Sequence, residues 1–138
     1  MADPTLAARS AFTDLKSTAH ESFSVEIRDD LSIVSIAAGR GKSEALRAAM
    51  REAYGVTLPD TPLRVEGSRG VSVIWYGPEQ WFVIAERGRE GRDLEAELTP
   101  VAGAHAAIVD QGDGRAVVRL SGSHVRDVLA KGMGLDLH

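Results

Sequence analysis

Apolar and polar positions alternate from residue 23 to 28, with Phe23, Val25 and Ile27 separated by Ser24, Glu26 and Arg28. That period of two predicts a half-buried strand. Asp29 and Asp30 supply turn chemistry, and residues 31–36 read as the returning strand of a hairpin. Before residue 23 the pattern is weak. Residues 1–22 are expected to form a loosely structured arm, with Phe12 and Leu15 available to anchor it.

The period then changes. Gly39-Arg-Gly-Lys42 breaks the strand, and Leu46, Ala49, Met50 and Ala53 recur at helical spacing. Ser43 is the expected N-cap, because its hydroxyl can accept from an unpaired amide of the first turn. Glu44 suits the positive end of the helix dipole. Gly55 fits the left-handed position past the helix end, and Pro59 prevents continuation.

Residues 71–76 and 81–85 read as two strands joined by Gly77-Pro-Glu-Gln80, where Pro78 favours a tight reversal. A short helix is predicted over 93–98, with Leu94 and Leu98 inward. Residues 104–110 and 115–120 suggest a second hairpin around Gln111-Gly-Asp-Gly114, since an Asp-Gly pair favours hairpin turns. Ser121-Gly-Ser123 opens a last helix, with Val125, Val128 and Leu129 on one side and Lys131 and Gly132 at its end.

From Leu31 the order is β-α-β-β-α-β, preceded by a hairpin strand and followed by a strand and helix. This is an α+β chain with a ferredoxin-like split βαβ core. One antiparallel-rich sheet with helices on one face is the expected architecture.

At 138 residues the chain suits one domain, and a chain of that length typically buries roughly 68–70% of its unfolded surface. Its formal net charge of −4 gives no footprint for nucleic acid, whose recognition needs clustered positive charge. The absence of cysteine excludes a disulfide framework, a Cys-ligated metal and thiol catalysis. The apolar stretches are strand-length, and Asp3 and Pro4 interrupt what a secretory signal would need, so a cytoplasmic location without membrane association is expected.

Gly39-Arg-Gly-Lys42-Ser43, between a strand and a helix, invites comparison with a phosphate-binding loop. That loop needs a glycine five residues before its Gly-Lys-Ser, and Ile36 stands there. A capped helix accounts for the segment better than nucleotide binding by Lys42 and Ser43. His20, His105, His124 and His138 lack metal-ligand spacing. His124 is placed to meet Asp127 within one turn. Asp110 and Asp113 flank a turn, where aspartate commonly bonds nearby amides, so turn formation is preferred over paired-carboxylate catalysis. Ser121-Gly-Ser-His124 lacks the nucleophile-elbow frame. Trp75 and Trp81 share one hairpin, as core residues first and docking anchors second. No residue is assigned a catalytic, cofactor-binding or metal-binding role.

Several segments resemble one family. Gly55-Val-Thr-Leu-Pro59, Thr61-Pro62 and Trp75-Tyr-Gly-Pro-Glu-Gln-Trp81 are similar to the γ subunit of heterotetrameric sarcosine oxidases. So are Val109-Asp110 with Asp113-Gly-Arg115, Leu120-Ser-Gly122, Val128-Leu-Ala-Lys-Gly132 and Leu135-Asp-Leu-His138. The resemblance runs from about residue 8 and implies a fold related to the folate-binding aminomethyltransferase domain.

It also implies membership of a complex that demethylates sarcosine oxidatively to glycine, with hydrogen peroxide and methylenetetrahydrofolate as further products. FAD, FMN, NAD and tetrahydrofolate are implied on the α and β subunits, and zinc on δ, with none on this chain. A non-catalytic structural role beside α, β and δ follows. The family pattern continues past its Asp-Leu-His segment, so the 23–138 domain is expected to lack the family's C-terminal piece. Competing expectations are a folate-binding module, by analogy of fold, and a nucleotide-binding protein using Lys42 and Ser43.

Overall fold

The computed structural model describes residues 9–20 and 22–134. Among them lie strands β1 (Thr18–His20), β2 (Phe23–Ile27), β3 (Leu31–Ala38), β4 (Arg64–Glu66), β5 (Val71–Gly77), β6 (Gln80–Glu86), β7 (Ala106–Asp110) and β8 (Val118–Ser121). The helices are α1 (Ser43–Tyr54), α2 (Leu94–Ala102) and α3 (Val125–Gly132). The chain folds as two compact units, one from residues 30–115 and the other from the segments on either side.

In the 30–115 unit a five-stranded sheet has the order β4-β5-β6-β3-β7, and every neighbouring pair is antiparallel. Without the short edge strand β4, this is the split βαβ pattern predicted from Leu31. The helix α1 carries the chain from β3 past the place of β6 to β5, and α2 carries it from β6 past β3 to β7.

The alternation of side chains explains the core. Val34, Val83 and Val73 are cross-strand partners, as are Ile36, Trp81 and Trp75, so both rows point to one face. There they meet Leu46, Met50 and Tyr54 of α1 and Leu94, Leu98 and Ala102 of α2. Burying one such leucine or valine stabilises the fold by about 1.5–3 kcal/mol.

Local chemistry accounts for the element ends. Gly55 takes φ 64° and its amide donates to the Arg51 carbonyl, the predicted left-handed cap. Pro78 and Glu79 form the β5–β6 turn, with Glu79 at φ 59°, as expected where Pro fixes the preceding position of a type II reversal. The Glu79 carbonyl accepts from the Ala38 amide at 2.9 Å, tying the turn to the end of β3. Asp93 caps α2 by accepting from the Ala96 amide at 3.0 Å.

Several expectations change. The predicted helix over 93–98 extends through Pro100 to Ala102. Proline removes one intrahelical bond, but continuation places Ala102 in the core beside Leu98. Ser43 is the first residue of α1 rather than its cap. Lys42 occupies the cap position without a side-chain cap bond, and the Ser43 hydroxyl is buried with no hydrogen-bond partner. The last helix begins two residues after Ser123, with His124 at its cap position and no side-chain cap bond.

The two outer hairpins differ most. Strand β3 pairs with β6 and β7, and β2 pairs with β1 and β8. Neither the β2–β3 hairpin nor the β7–β8 hairpin forms, and the strands fall into two sheets rather than one. Turns do form at residues 29–30 and 112–114. Partner choice is set by apolar rows distant in sequence, and Val34, Ile36 and Ile33 of β3 are buried.

The flanking segments build a three-stranded antiparallel sheet, β1-β2-β8. Glu26 faces Arg119 across it with an ion pair of 3.3 Å, and the Ser24 and Ser121 hydroxyls are 2.6 Å apart. Strand β1 arises within the segment expected to be a loose arm. Every fully buried hydrophobic residue among those described belongs to 30–115. The smaller unit therefore rests on ladder bonds and half-buried contacts.

Candidate functional site

The singled-out polar residues mostly hold backbone. Lys42 Nζ donates to the Ala104 carbonyl at 2.8 Å, while the Gly39 amide donates to the His105 carbonyl at 2.8 Å. These two bonds fasten the β3–α1 loop to the α2–β7 loop. Gly39 and Lys42 thus serve a loop junction. Asp110 Oδ1 accepts from the Gly112 amide at 3.0 Å, the turn role expected of it. Asp113 is exposed in that turn.

His124 Nδ1 lies 3.1 Å from Asp127 Oδ2 on the surface of α3, as the one-turn spacing predicted. His105 sits in the turn after α2, its amide donating to the Ala102 carbonyl. His138, with the rest of the Leu135-Asp-Leu-His138 segment, lies outside the described residues, and so does the side chain of His20.

A charged cluster joins the β6–α2 loop to the turn before β5. Arg92 grips Glu97 through two bonds, Nε to Oε1 at 2.8 Å and a terminal nitrogen to Oε2 at 2.7 Å. Its other terminal nitrogen donates to the Arg69 carbonyl at 3.0 Å. The hydrogen bonds from Arg92 hold the Glu97 carboxyl below its usual range, and the same bonds raise Arg92. Burial, then the nearby Glu97 charge, pushes the Tyr54 phenol up. Arg69 lies over the Tyr54 ring, 5.9 Å from its centroid. This arrangement ties three segments together.

The two tryptophans resolve differently from their neighbours. Trp81 is fully buried and Trp75 is packed against the core. The aromatic residues that face outward are Tyr76 and Phe82. They follow from the alternation: Phe82 pairs with Ile74 and with Ser35, on the sheet face opposite the helices. A register shift between Trp75 and Gly77 leaves Tyr76 as the extra residue of a bulge. Its ring centroid lies 4.4 Å from that of Phe82, at a 45° tilt.

Arg115 completes this surface. Its guanidinium carbon is 4.4 Å from the Phe82 centroid and 5.8 Å from that of Tyr76. Val109, which shares the row through Ser35, is 51% exposed, and Tyr76 is 50% exposed. The core role put first for Trp75 and Trp81 holds, and the outward pair of the same hairpin, Tyr76 and Phe82, was not singled out. The signal was the two-residue period itself, which places Phe82 opposite in direction to Trp81.

Known proteins give the site its context. The family described as "Sarcosine oxidase, gamma subunit family" matches residues 38–138. Sarcosine oxidase subunit gamma of Corynebacterium sp. (strain P-1) is 39% identical over 93 residues, 66% of this chain. The aligned part spans 44% of that relative, less than half of its length. A chain in the structure of heterotetrameric sarcosine oxidase from Corynebacterium sp. U-96, in complex with pyrrole 2-carboxylate, superposes with a TM-score of 0.73. That superposition covers 95% of this chain and 69% of the other, at 25% identity. With a family match over most of its length and agreement in fold, this chain belongs to the sarcosine oxidase γ subunit family.

Proposed function

We propose that the chain is a non-catalytic structural subunit of a cytoplasmic heterotetrameric sarcosine oxidase. In this reading α, β and δ subunits are its partners. The α and β subunits carry FAD, FMN, NAD and tetrahydrofolate, and δ carries zinc. The complex converts sarcosine to glycine with hydrogen peroxide and methylenetetrahydrofolate. The chain supplies surface and shape.

The observation that carries the reading is how the polar side chains are used. Lys42 and Asp110 each hold a backbone group, and Arg92 holds both Glu97 and the Arg69 carbonyl. Those bonds stiffen loops around a buried core, as a rigid partner for other chains requires. An aromatic and guanidinium surface faces outward on the side of the sheet away from the helices.

The test compares the purified chain with the co-expressed complex. The chain alone is expected to be colourless and to form no peroxide from sarcosine, while the complex that retains it does. Peroxide production by the isolated chain would overturn the reading. Quenching of tryptophan fluorescence by tetrahydrofolate, with thermal stabilisation, would replace it with a folate-binding module.

A further inference from the structure

Five residues of the 30–115 unit make an outward surface of unusual composition. Ile74 and Phe82 are cross-strand neighbours, Val109 lies farther along the same row, and Tyr76 stacks at a tilt on Phe82. Arg115 lies over both rings. Among the described residues no carboxylate is within ion-pair distance of Arg115.

Three physical facts bear on what such a surface does. Tyrosine and arginine are, with tryptophan, the residues enriched among interface hot spots, which near-neutral contacts ring and shield from water. A guanidinium resting on aromatic faces has lost part of its side-chain freedom before any partner arrives, which lowers the entropic cost of using it. Its planar donors match a carboxylate in a two-bond geometry that lysine does not reproduce.

The geometry points to Ile74, Tyr76, Phe82, Val109 and Arg115 as the docking surface for a carboxylate-bearing segment of a partner oxidase subunit. This rests on the subunit role proposed above. The partner's Asp or Glu pairs with Arg115, and apolar side chains flanking it cover Tyr76, Phe82 and Val109. The choice of an acidic segment follows from charge: the surface presents a cation held over two rings with no ion-pair partner among the described residues.

The test uses the full chain, affinity-tagged and co-expressed with the α, β and δ subunits. Retention of those subunits is measured for the wild type and for Arg115→Glu, Arg115→Lys, Val109→Lys and Arg51→Glu. Arg51 is exposed on α1 and controls for charge alone. Arg115→Glu is expected to weaken retention roughly 30-fold or more, the scale of an interface hot spot. Arg115→Lys is expected to retain part of it, Val109→Lys to weaken it independently, and Arg51→Glu to change nothing.

Wild-type retention by both Arg115→Glu and Val109→Lys overturns the surface and leaves the subunit role standing. Failure of the wild type to retain any subunit removes both. Equal losses from Arg51→Glu and Arg115→Glu also overturn the surface, by assigning the effect to net charge. A dimer of the chain alone that Arg115→Glu dissociates gives the surface to a second copy and overturns the partner assignment. Thermal melts establish that each variant is folded. If Arg115→Glu is not, Val109→Lys and Arg115→Lys decide.

Discussion

The indole Nε1 of Trp81 donates to the Pro59 carbonyl across 2.7 Å, joining strand β6 to the loop between α1 and β4. Arg47 reinforces the same junction. Its guanidinium carbon is 5.3 Å from the Trp81 ring centroid, and it donates to the Leu58 carbonyl and pairs with Asp60. Trp81→Phe removes the buried donor, strands an acceptor and leaves a gap. Thermal or urea unfolding should show a loss of about 2–4 kcal/mol. A loss below about 0.5 kcal/mol would mean that water or a repacked side chain serves the carbonyl equally well.

Ser43 gives a prediction of the opposite sign from the one its sequence context suggests. A capping serine loses about 1 kcal/mol on replacement by alanine. Here the hydroxyl is buried without a partner, so Ser43→Ala should leave stability unchanged or raise it slightly. Saturating Mg-ATP should leave the melting temperature of the wild type unchanged, because Lys42 is engaged with the Ala104 carbonyl. A melting shift abolished by Lys42→Ala would restore the nucleotide reading.

The sheet order was legible in the sequence to the extent that it depends on local pattern. The strands at 31–38, 71–77 and 80–86, the helix ended by Gly55 and the split βαβ order all follow from periodicity and turn residues. The pairing partners of β2 and β8 do not. Asp29-Asp30 and Asp113-Gly114 announce reversals, and nothing within a few residues says which apolar row a strand will meet. The edge strand Arg64–Glu66 is three residues with two exposed charges, too short to generate a period. Tyr54 reads as polar at a helix end but is 1% exposed. The outward surface was half legible: its hairpin was marked, whereas Arg115 reaches Phe82 only through the folded sheet.

Glu97 and Arg92 should give the fold a visible pH dependence. The Glu97 carboxyl is held below its usual value near 4.5 by the Arg92 hydrogen bonds. The folded state therefore favours the charged form. Its contribution is present above the unfolded value and is lost as pH falls through the lower folded value. Glu97→Gln should melt below the wild type at pH 7, and the difference should shrink as pH drops below about 4. High salt should also narrow it, since Glu97 is partly exposed. A gap that is independent of pH would assign the effect to packing.

Gly122 should be intolerant of any side chain. Its φ is 127°, and an added Cβ would stand 2.3 Å from the Ser22 carbonyl oxygen and 2.8 Å from the Phe23 Cα. Gly122→Ala must therefore move backbone at the end of the β2–β8 ladder. Hydrogen exchange should accelerate at β2 and β8 amides, with β5 and β6 retaining their protection. Unchanged exchange at β2 and β8 would show that the end of the ladder yields without loosening the sheet.

The placement of β3 bears on how the 30–115 unit comes together during synthesis. This interior strand is the first of its sheet to leave the ribosome, yet both of its lateral neighbours, β6 and β7, are made only after α1 and the β5 segment, and β7 only after α2 as well. Until then β3 is an apolar ribbon with two bare edges. Such long-range closure slows folding and prolongs the interval in which a nascent chain can stick to another. Acquisition of this fold is thus a late, all-together event, completed only when the last strand has emerged.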